Sequence, residues 1–193
     1  ALKHSRSLLL VALATAGIGL AFAQAPSPQP VAKPAALSDN LPIPDAPAPA
    51  TSKAWLILDY ATGQVLAGEN VDVPVEPASI TKVMTSYVIA AEMAAGKIKA
   101  TDPVMMSEHA WRTGGAGTDG SYSGFEVNKT APLAQMEMGM VIQSGNDAAI
   151  ALAEHIAGSE AAFATLMNDY AKRIGLKNTN FVNATGLSAE GHY

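Results

Sequence analysis

Glu76-Pro77-Ala78-Ser79-Ile80-Thr81-Lys82-Val83-Met84-Thr85 is the stretch on which the reading of this chain turns. Pro77 stands just before a segment that neither glycine nor proline interrupts until Gly96, so a helix is expected from Ser79 to about Ala95. Residues at i and i+3 on a helix are neighbours, with Cβ atoms about 5–6 Å apart. Ser79 and Lys82 therefore sit side by side. A serine hydroxyl is a poor nucleophile until a base takes its proton, and lysine is such a base only when neutral. Burial and the positive end of a helix both disfavour the ammonium form. Bringing a lysine from about 10.4 to about 7 takes on the order of 4–5 kcal/mol. The plain alternative is an N-cap serine followed by a solvated lysine. Val83, Met84, Tyr87, Val88 and Ala91 form an apolar set behind the tetrad, which favours a buried helix and an enclosed Lys82.

Upstream, Ala54 to Tyr60 reads as a strand, Ala61-Thr62-Gly63-Gln64 as a turn, and Val65 to Gly68 as the returning strand of a hairpin. Asp59 belongs to the turn chemistry. Downstream, residues 101 to 131 are mixed: Val104-Met105-Met106 suggests a short strand, and Gly114 to Ser123 reads as a surface loop. Helices are expected from Pro132 to about Gln143, from Asn146 to Ala157, and from Glu160 to about Arg173, where Gly175 ends the last. Asn178 to Asn180 and Asn183 to Gly191 read as loop around a short extended piece.

Ser144-Gly145-Asn146 lies at the corner between two of these helices. Such a corner can present a hydroxyl and a carboxamide to one cleft. Ser144 could relay a proton, and Asn146 could hold Lys82 and a substrate carbonyl. Alternatively both simply cap the next helix. His109, His155 and His192 are isolated, without the spacing of a metal site, and His155 is expected at the surface. Met136, Met138 and Met140 suit core packing or a partly exposed face better than a cofactor box.

S-x-x-K followed by Ser-x-Asn is a signature of penicillin-binding proteins and class A β-lactamases. With Ser-Gly-Asn as the second element, the chain resembles the D-alanyl-D-alanine carboxypeptidases in Glu76 to Thr85, Ile142 to Ala148, Leu176 to Phe181 and Gly186-Leu187, and the likeness runs from about Ala54 to Tyr193. The resemblance implies an α/β, β-lactamase/transpeptidase-like fold: an antiparallel sheet flanked by helices, with an all-helical subdomain. It makes Ser79 the acylated nucleophile, Lys82 its proton acceptor, and Ser144 and Asn146 the second wall of the site. The implied partners are peptidoglycan stem peptides ending in D-Ala-D-Ala, with β-lactams as inhibitors. No cofactor or metal is implied. A Lys-Thr-Gly motif, third in the family, does not occur after residue 146. The expectation is therefore a chain truncated at Tyr193, with later strands missing and the fragment alone inactive. Family members are often held at the membrane by a C-terminal amphipathic helix, so peripheral membrane association would depend on a segment this sequence lacks. The alternatives are a β-lactamase on the same fold and a non-catalytic β-lactam-sensing or wall-binding module. Against the first, no acid after Asn146 sits in an evident E-x-x-x-N element.

Composition sets the frame. The chain has 193 residues with a net charge of -5, and shows no Lys/Arg run to suggest nucleic-acid binding. It has no cysteine, which excludes a disulfide framework, a thiolate metal site and a Cys nucleophile. Lys3, His4 and Arg6, the apolar run Leu8 to Leu20 and Ala21-Phe22-Ala23 form a signal-peptide pattern over residues 1–23, pointing to export into the periplasm. Residues 24–50 hold eight of the twelve prolines and read as an extended tether. Residues 51–193 are then the N-terminal part of the penicillin-binding domain.

Overall fold

The computed structural model describes residues 51–115 and 117–193; the expected signal peptide and proline-rich tether lie outside them. The hairpin pairs β1 (Trp55–Leu58) with β2 (Val65–Glu69), Trp55 opposite Glu69 and Leu58 opposite Val65. Asp59 serves the turn, accepting from the Thr62 amide and hydroxyl at 2.7 and 2.6 Å. A 3₁₀ turn at Ala78–Ile80 then leads into α1 (Thr81–Ala94), so Ser79 stands in the tight turn before the helix and not in its first α turn.

The mixed region resolves into β3 (Pro103–Met105), α2 (Glu108–Gly114) and β4 (Thr130–Pro132), with β3 and β4 paired antiparallel. That pairing joins segments separated by the whole of α2 and the loop after it, Val104 lying opposite Ala131, and was not expected. α2 is opened by Ser107, whose hydroxyl accepts from the Ala110 amide. α3 (Leu133–Gln143), α4 (Asn146–Ala157) and α5 (Glu160–Arg173) fall where the sequence places them, α3 beginning one residue after Pro132. Ser159 caps α5 through the Ala162 amide, and Gly158, at φ 80°, closes α4 in the left-handed conformation that glycine adopts without strain.

The core is organised around α4. Asn146 to Ala153 is buried without a break, and α1, α2, α3 and α5 all touch this helix. A helix apolar on all sides belongs in the middle of a bundle, and four alanines in this stretch let its neighbours approach closely. On α1 the buried stripe is Lys82, Thr85, Ile89 and Glu92 with Thr81, Met84 and Val88. The apolar set expected to lie on one face is divided: Met84 and Val88 are buried, whereas Val83 is 70% and Tyr87 43% exposed. Val83, Val141 and Ile142 are large apolar side chains left exposed, the first two lining one cleft. Of the methionines, Met136 and Met140 are core and Met138 is exposed, as their i, i+4 spacing requires.

Leu152 is fully buried within α4. Leu152→Ala should cost about 2–5 kcal/mol of unfolding free energy through the lost burial and the cavity left behind. Denaturant unfolding measures it, and a loss below about 1 kcal/mol would show that α4 is not the centre of the core.

Candidate active site

Three separate segments converge on one amine. The turn at Ala78–Ile80 and the start of α1 bring Ser79 and Lys82, the α3–α4 corner brings Ser144 and Asn146, and the loop after α5 brings the Thr185 carbonyl. Lys82 is 6% exposed, while Ser79 lies at the surface. Lys82 Nζ donates to Ser79 Oγ at 3.0 Å, to Asn146 Oδ1 at 2.7 Å and to the Thr185 carbonyl at 2.8 Å. Ser144 Oγ lies 3.0 Å from Ser79 Oγ. The structure thus brings together all four residues singled out in the sequence. It adds a fifth group, a backbone carbonyl, that no residue type announces.

The electrostatics follow from burial. Desolvation of the ammonium pushes Lys82 down to about 8. That is less far than the value near 7 anticipated. Once the amine is neutral it has two N–H bonds and a lone pair. A carboxamide oxygen and a backbone carbonyl can only accept, so both N–H bonds stay with Asn146 and Thr185. The lone pair is left for Ser79, the partner among the three that has a proton to give.

Local folding holds each wall in place. Ser144 adopts φ 55°, ψ 31° as the α3 cap, a left-handed conformation that is costly for a residue with a Cβ. Gly145 is needed for space: a Cβ there would come within 2.8 Å of Ser123 Cβ and 2.9 Å of Ser123 N. The Gly/Ser-rich segment expected to be a surface loop is in fact clamped against this corner. Asp147, 1% exposed, accepts from the Ser123 amide and hydroxyl at 2.8 and 2.7 Å, and the Asn146 amide donates to the Ser121 carbonyl. On the third side, Asn183 Oδ1 accepts from the Thr185 amide and hydroxyl and the Gly186 amide, an Asx-type turn. Glu160 holds the Ala184 amide and Thr85 the Ala184 carbonyl. Burial raises the Glu160 carboxyl above its ordinary range. The Asn183-x-Thr185-Gly186 pattern was the available sequence signal for this turn.

Other candidates fall away from the site. His109 pairs with Glu154 at 2.7 Å, and His155 lies 3.9 Å from Asp102. His155 is exposed, in the expected surface position. His192, read as isolated, is buried and bonded to Thr81. Among the described residues no group of three or more His, Cys, Asp or Glu could hold a metal ion, and no helix is long and apolar enough to cross a membrane. The cleft in front of Ser79 and Lys82, about 320 Å³, is completed by Val83, Ser86, Met140, Val141 and Ser144. A larger apolar groove of about 560 Å³ lies on the other flank of α1 and includes neither Ser79 nor Lys82.

Residues 43–193 match the family model of D-alanyl-D-alanine carboxypeptidases. The chain belongs to this family. It is 47% identical over 143 residues to the D-alanyl-D-alanine carboxypeptidase DacC of Escherichia coli K12 and 46% identical to DacA of the same organism. Each match covers 74% of this chain and 36% of the relative, so the chain spans little more than a third of their length. Among solved structures, penicillin binding protein 5 from Haemophilus influenzae superposes with a TM-score of 0.70 at 39% identity, over 77% of this chain and 43% of that one. Penicillin binding protein 6B from Escherichia coli gives 0.69 at 34% identity, over 80% of this chain and 49% of that one. The fold of this D-alanyl-D-alanine carboxypeptidase family member is therefore of the penicillin-binding, β-lactamase-like type, of which the hairpin and the helical body are described here.

A nitrogen-detected NMR titration of Lys82 in the intact protein should give a midpoint near 8, against 10.5 for an unperturbed lysine. Between those values the unfolded chain binds a proton that the folded chain has released, so stability climbs with pH across the window, and Lys82→Met flattens the climb. A midpoint near 10.5 would mean that the amine is solvated.

Proposed function

We propose that the chain forms part of a serine-type D-alanyl-D-alanine carboxypeptidase that removes the terminal D-Ala of peptidoglycan stem peptides. The observation that carries this reading is the Lys82 amine, whose two obligate acceptors leave its lone pair to Ser79. Neutral Lys82 takes the Ser79 proton as Oγ attacks the carbonyl carbon between the two D-alanines. The tetrahedral oxyanion is stabilised by backbone N–H groups. Its collapse breaks the C–N bond, and the departing amine of D-Ala receives the proton from Lys82 by way of Ser144, which is within reach of Ser79. Water then attacks the ester carbonyl carbon as Lys82 accepts its proton, the C–O bond to Ser79 breaks, and Lys82 returns the proton to Ser79 Oγ. Asn146 holds the amine and offers its N–H₂ to a substrate carbonyl. The chemistry needs no metal or cofactor.

The same serine would be acylated by β-lactams, whose strained amide presents the same carbonyl to Ser79. In this reading residues 1–23 direct export to the periplasm and are removed before Gln24, and residues 24–50 tether the domain. Support comes from the basic, apolar and small-residue pattern of the first segment and the prolines of the second.

Labelled penicillin followed by mass spectrometry should place the adduct on Ser79 in the intact protein. Label on Ser86, Ser107 or Ser144 would refute the assignment. Lys82→Arg should lower acylation by at least about 10²-fold with the fold retained, because arginine stays protonated and cannot accept the serine proton. In the unaltered protein the acylation rate should rise about tenfold per pH unit below 8 and level off above it, as Lys82 loses its proton. After a chase, slow loss of label accompanied by D-Ala release from a stem peptide fits the carboxypeptidase. Rapid loss would indicate a β-lactamase, and lasting label without D-Ala release a sensor.

A further inference from the structure

Behind the tetrad, on the side of α1 away from the cleft, lies a contact that the mechanism above does not use. Thr81 stands between Ser79 and Lys82 and is 1% exposed; its Oγ1 lies 2.9 Å from Nε2 of His192, itself 4% exposed. The tautomer is set by the other ring nitrogen. The Val182 amide donates to His192 Nδ1 at 3.1 Å, so Nδ1 carries no proton and the neutral ring bears its hydrogen on Nε2, aimed at Thr81. The ring, its segment and the turn it faces are held by further contacts. Phe181 meets it edge-on with centroids 6.0 Å apart, and Phe181 is bonded at both its amide and its carbonyl to Asn168 of α5. Tyr193 and Asn180 exchange two backbone hydrogen bonds on either side of it. Gly186, at φ 86°, packs so tightly on the Ala78 carbonyl and Thr81 that a Cβ would overlap the carbonyl oxygen.

We propose that neutral His192 is a positioning residue for acylation: by donating to Thr81 it locks the turn that carries Ser79 and Lys82 onto the loop that supplies the Thr185 carbonyl. This rests on the reading of Ser79 as nucleophile. The consequence is a second, indirect proton dependence. A protonated imidazole must donate from both nitrogens, but Nδ1 already faces an N–H. The charged ring therefore loses the Val182 contact and must turn or withdraw, which loosens Thr81. Of the charged groups around it, Glu76 acts on the ring from the segment before the 3₁₀ turn and favours the imidazolium. Lys82 on α1 directs its ammonium to Ser79, Asn146 and Thr185. Glu190 and Tyr193 flank the ring in its own segment, and α5 reaches it through uncharged Asn168 and Phe181. Burial outweighs Glu76 and holds the imidazole below its ordinary value. The unfolded chain thus takes up this proton first as pH falls. The locked arrangement is fully present above about 6.5 and is lost as pH falls through the lower folded value.

The experiment measures penicillin acylation of the intact protein from pH 8 downward. In the wild type the acid limb should steepen beyond tenfold per pH unit as His192 also charges, by an extra factor of about ten in all, and then return to about tenfold per unit. His192→Gln keeps an N–H for Thr81 but does not titrate. It should acylate within about threefold of wild type at pH 8 and lose the steepening. Thr81→Val and His192→Leu each remove the contact and should slow acylation about tenfold at pH 8, the worth of one buried hydrogen bond. A steepening that persists in His192→Gln, or Thr81→Val acylating like wild type, overturns the proposal. So does an imidazole nitrogen spectrum showing the neutral ring protonated on Nδ1, whatever the activity. A wild type that takes no label on Ser79 is a different result and sinks the acylation reading itself.

Discussion

The placement of one buried ammonium group governs this structure. Lys82 has three protons and three acceptors, supplied by a serine beside it on the same turn, a carboxamide at the head of α4 and a backbone carbonyl from the loop after α5. A cation removed from water without partners would be prohibitively costly. The three segments are consequently tied to one another through it: remove one acceptor and the other two hold an under-coordinated charge. The same burial that makes the partners necessary also lowers the proton affinity of the amine to about 8. Structural anchor and candidate base are thus one property seen at two pH values.

Precision at that point depends on parts that look unrelated to it. α4 begins with Asn146, and its next seven positions are buried, so the carboxamide is carried by the most enclosed helix of the domain. Asp147, one residue on, is fully used in fastening the segment around Ser121 and Ser123 to the same corner. The Thr185 carbonyl is aimed by an Asx turn made by Asn183, by Glu160 at the start of α5 and by Thr85 of α1. Each of these polar groups is satisfied, and among the described residues no buried side-chain nitrogen or oxygen lacks a partner.

The sequence made the helices legible because their ends are chemically marked. Ser159 and Gly158 delimit α5 and α4, and Gly145 with Asn146 marks the corner before α4. The Ser79–Lys82 pairing was legible for a similar reason, being a local i, i+3 relation. What stayed hidden is non-local or lacks a residue signature. β3 was signalled by Val104-Met105-Met106, but β4, three residues long, carries too little periodicity to be seen, and the two pair across α2. The Thr185 contribution is a main-chain oxygen, identical in any residue. The segment before Ser123 reads as loop from its glycines, yet two of the groups fixing it are the buried carboxylate oxygens of Asp147. His192 lies 111 residues from Thr81, and nothing in its neighbourhood foretells the contact.

Ser79 is bracketed by strained backbone on both sides of the cleft. Ala78, immediately before it, has φ 47°, and Ser144, facing it, has φ 55°. Left-handed conformations cost a non-glycine residue on the order of 1–2 kcal/mol each, and neither position is relieved by a glycine. The strain at Ala78 has a geometric yield. It turns the chain sharply enough that the helical segment opens in a 3₁₀ turn at Ala78, with Ser79 as its second residue. The amide of Ser79 then falls among the first N–H groups of a helix, which have no carbonyl behind them to bond. An amide in that position, at the positive end of α1, is available to an anionic oxygen bound beside Ser79. The strain at Ser144 swings its hydroxyl out of the α3 helix and towards Ser79. Both distortions are held by close backbone packing, Gly186 against Ala78 and Gly145 against Ser123, where a methyl group would not fit. The glycines of the site therefore act mainly through space. They let two strained residues be pressed into position by their neighbours, so that the hydroxyl of Ser79, its amide and the lone pair of Lys82 are oriented before any substrate arrives.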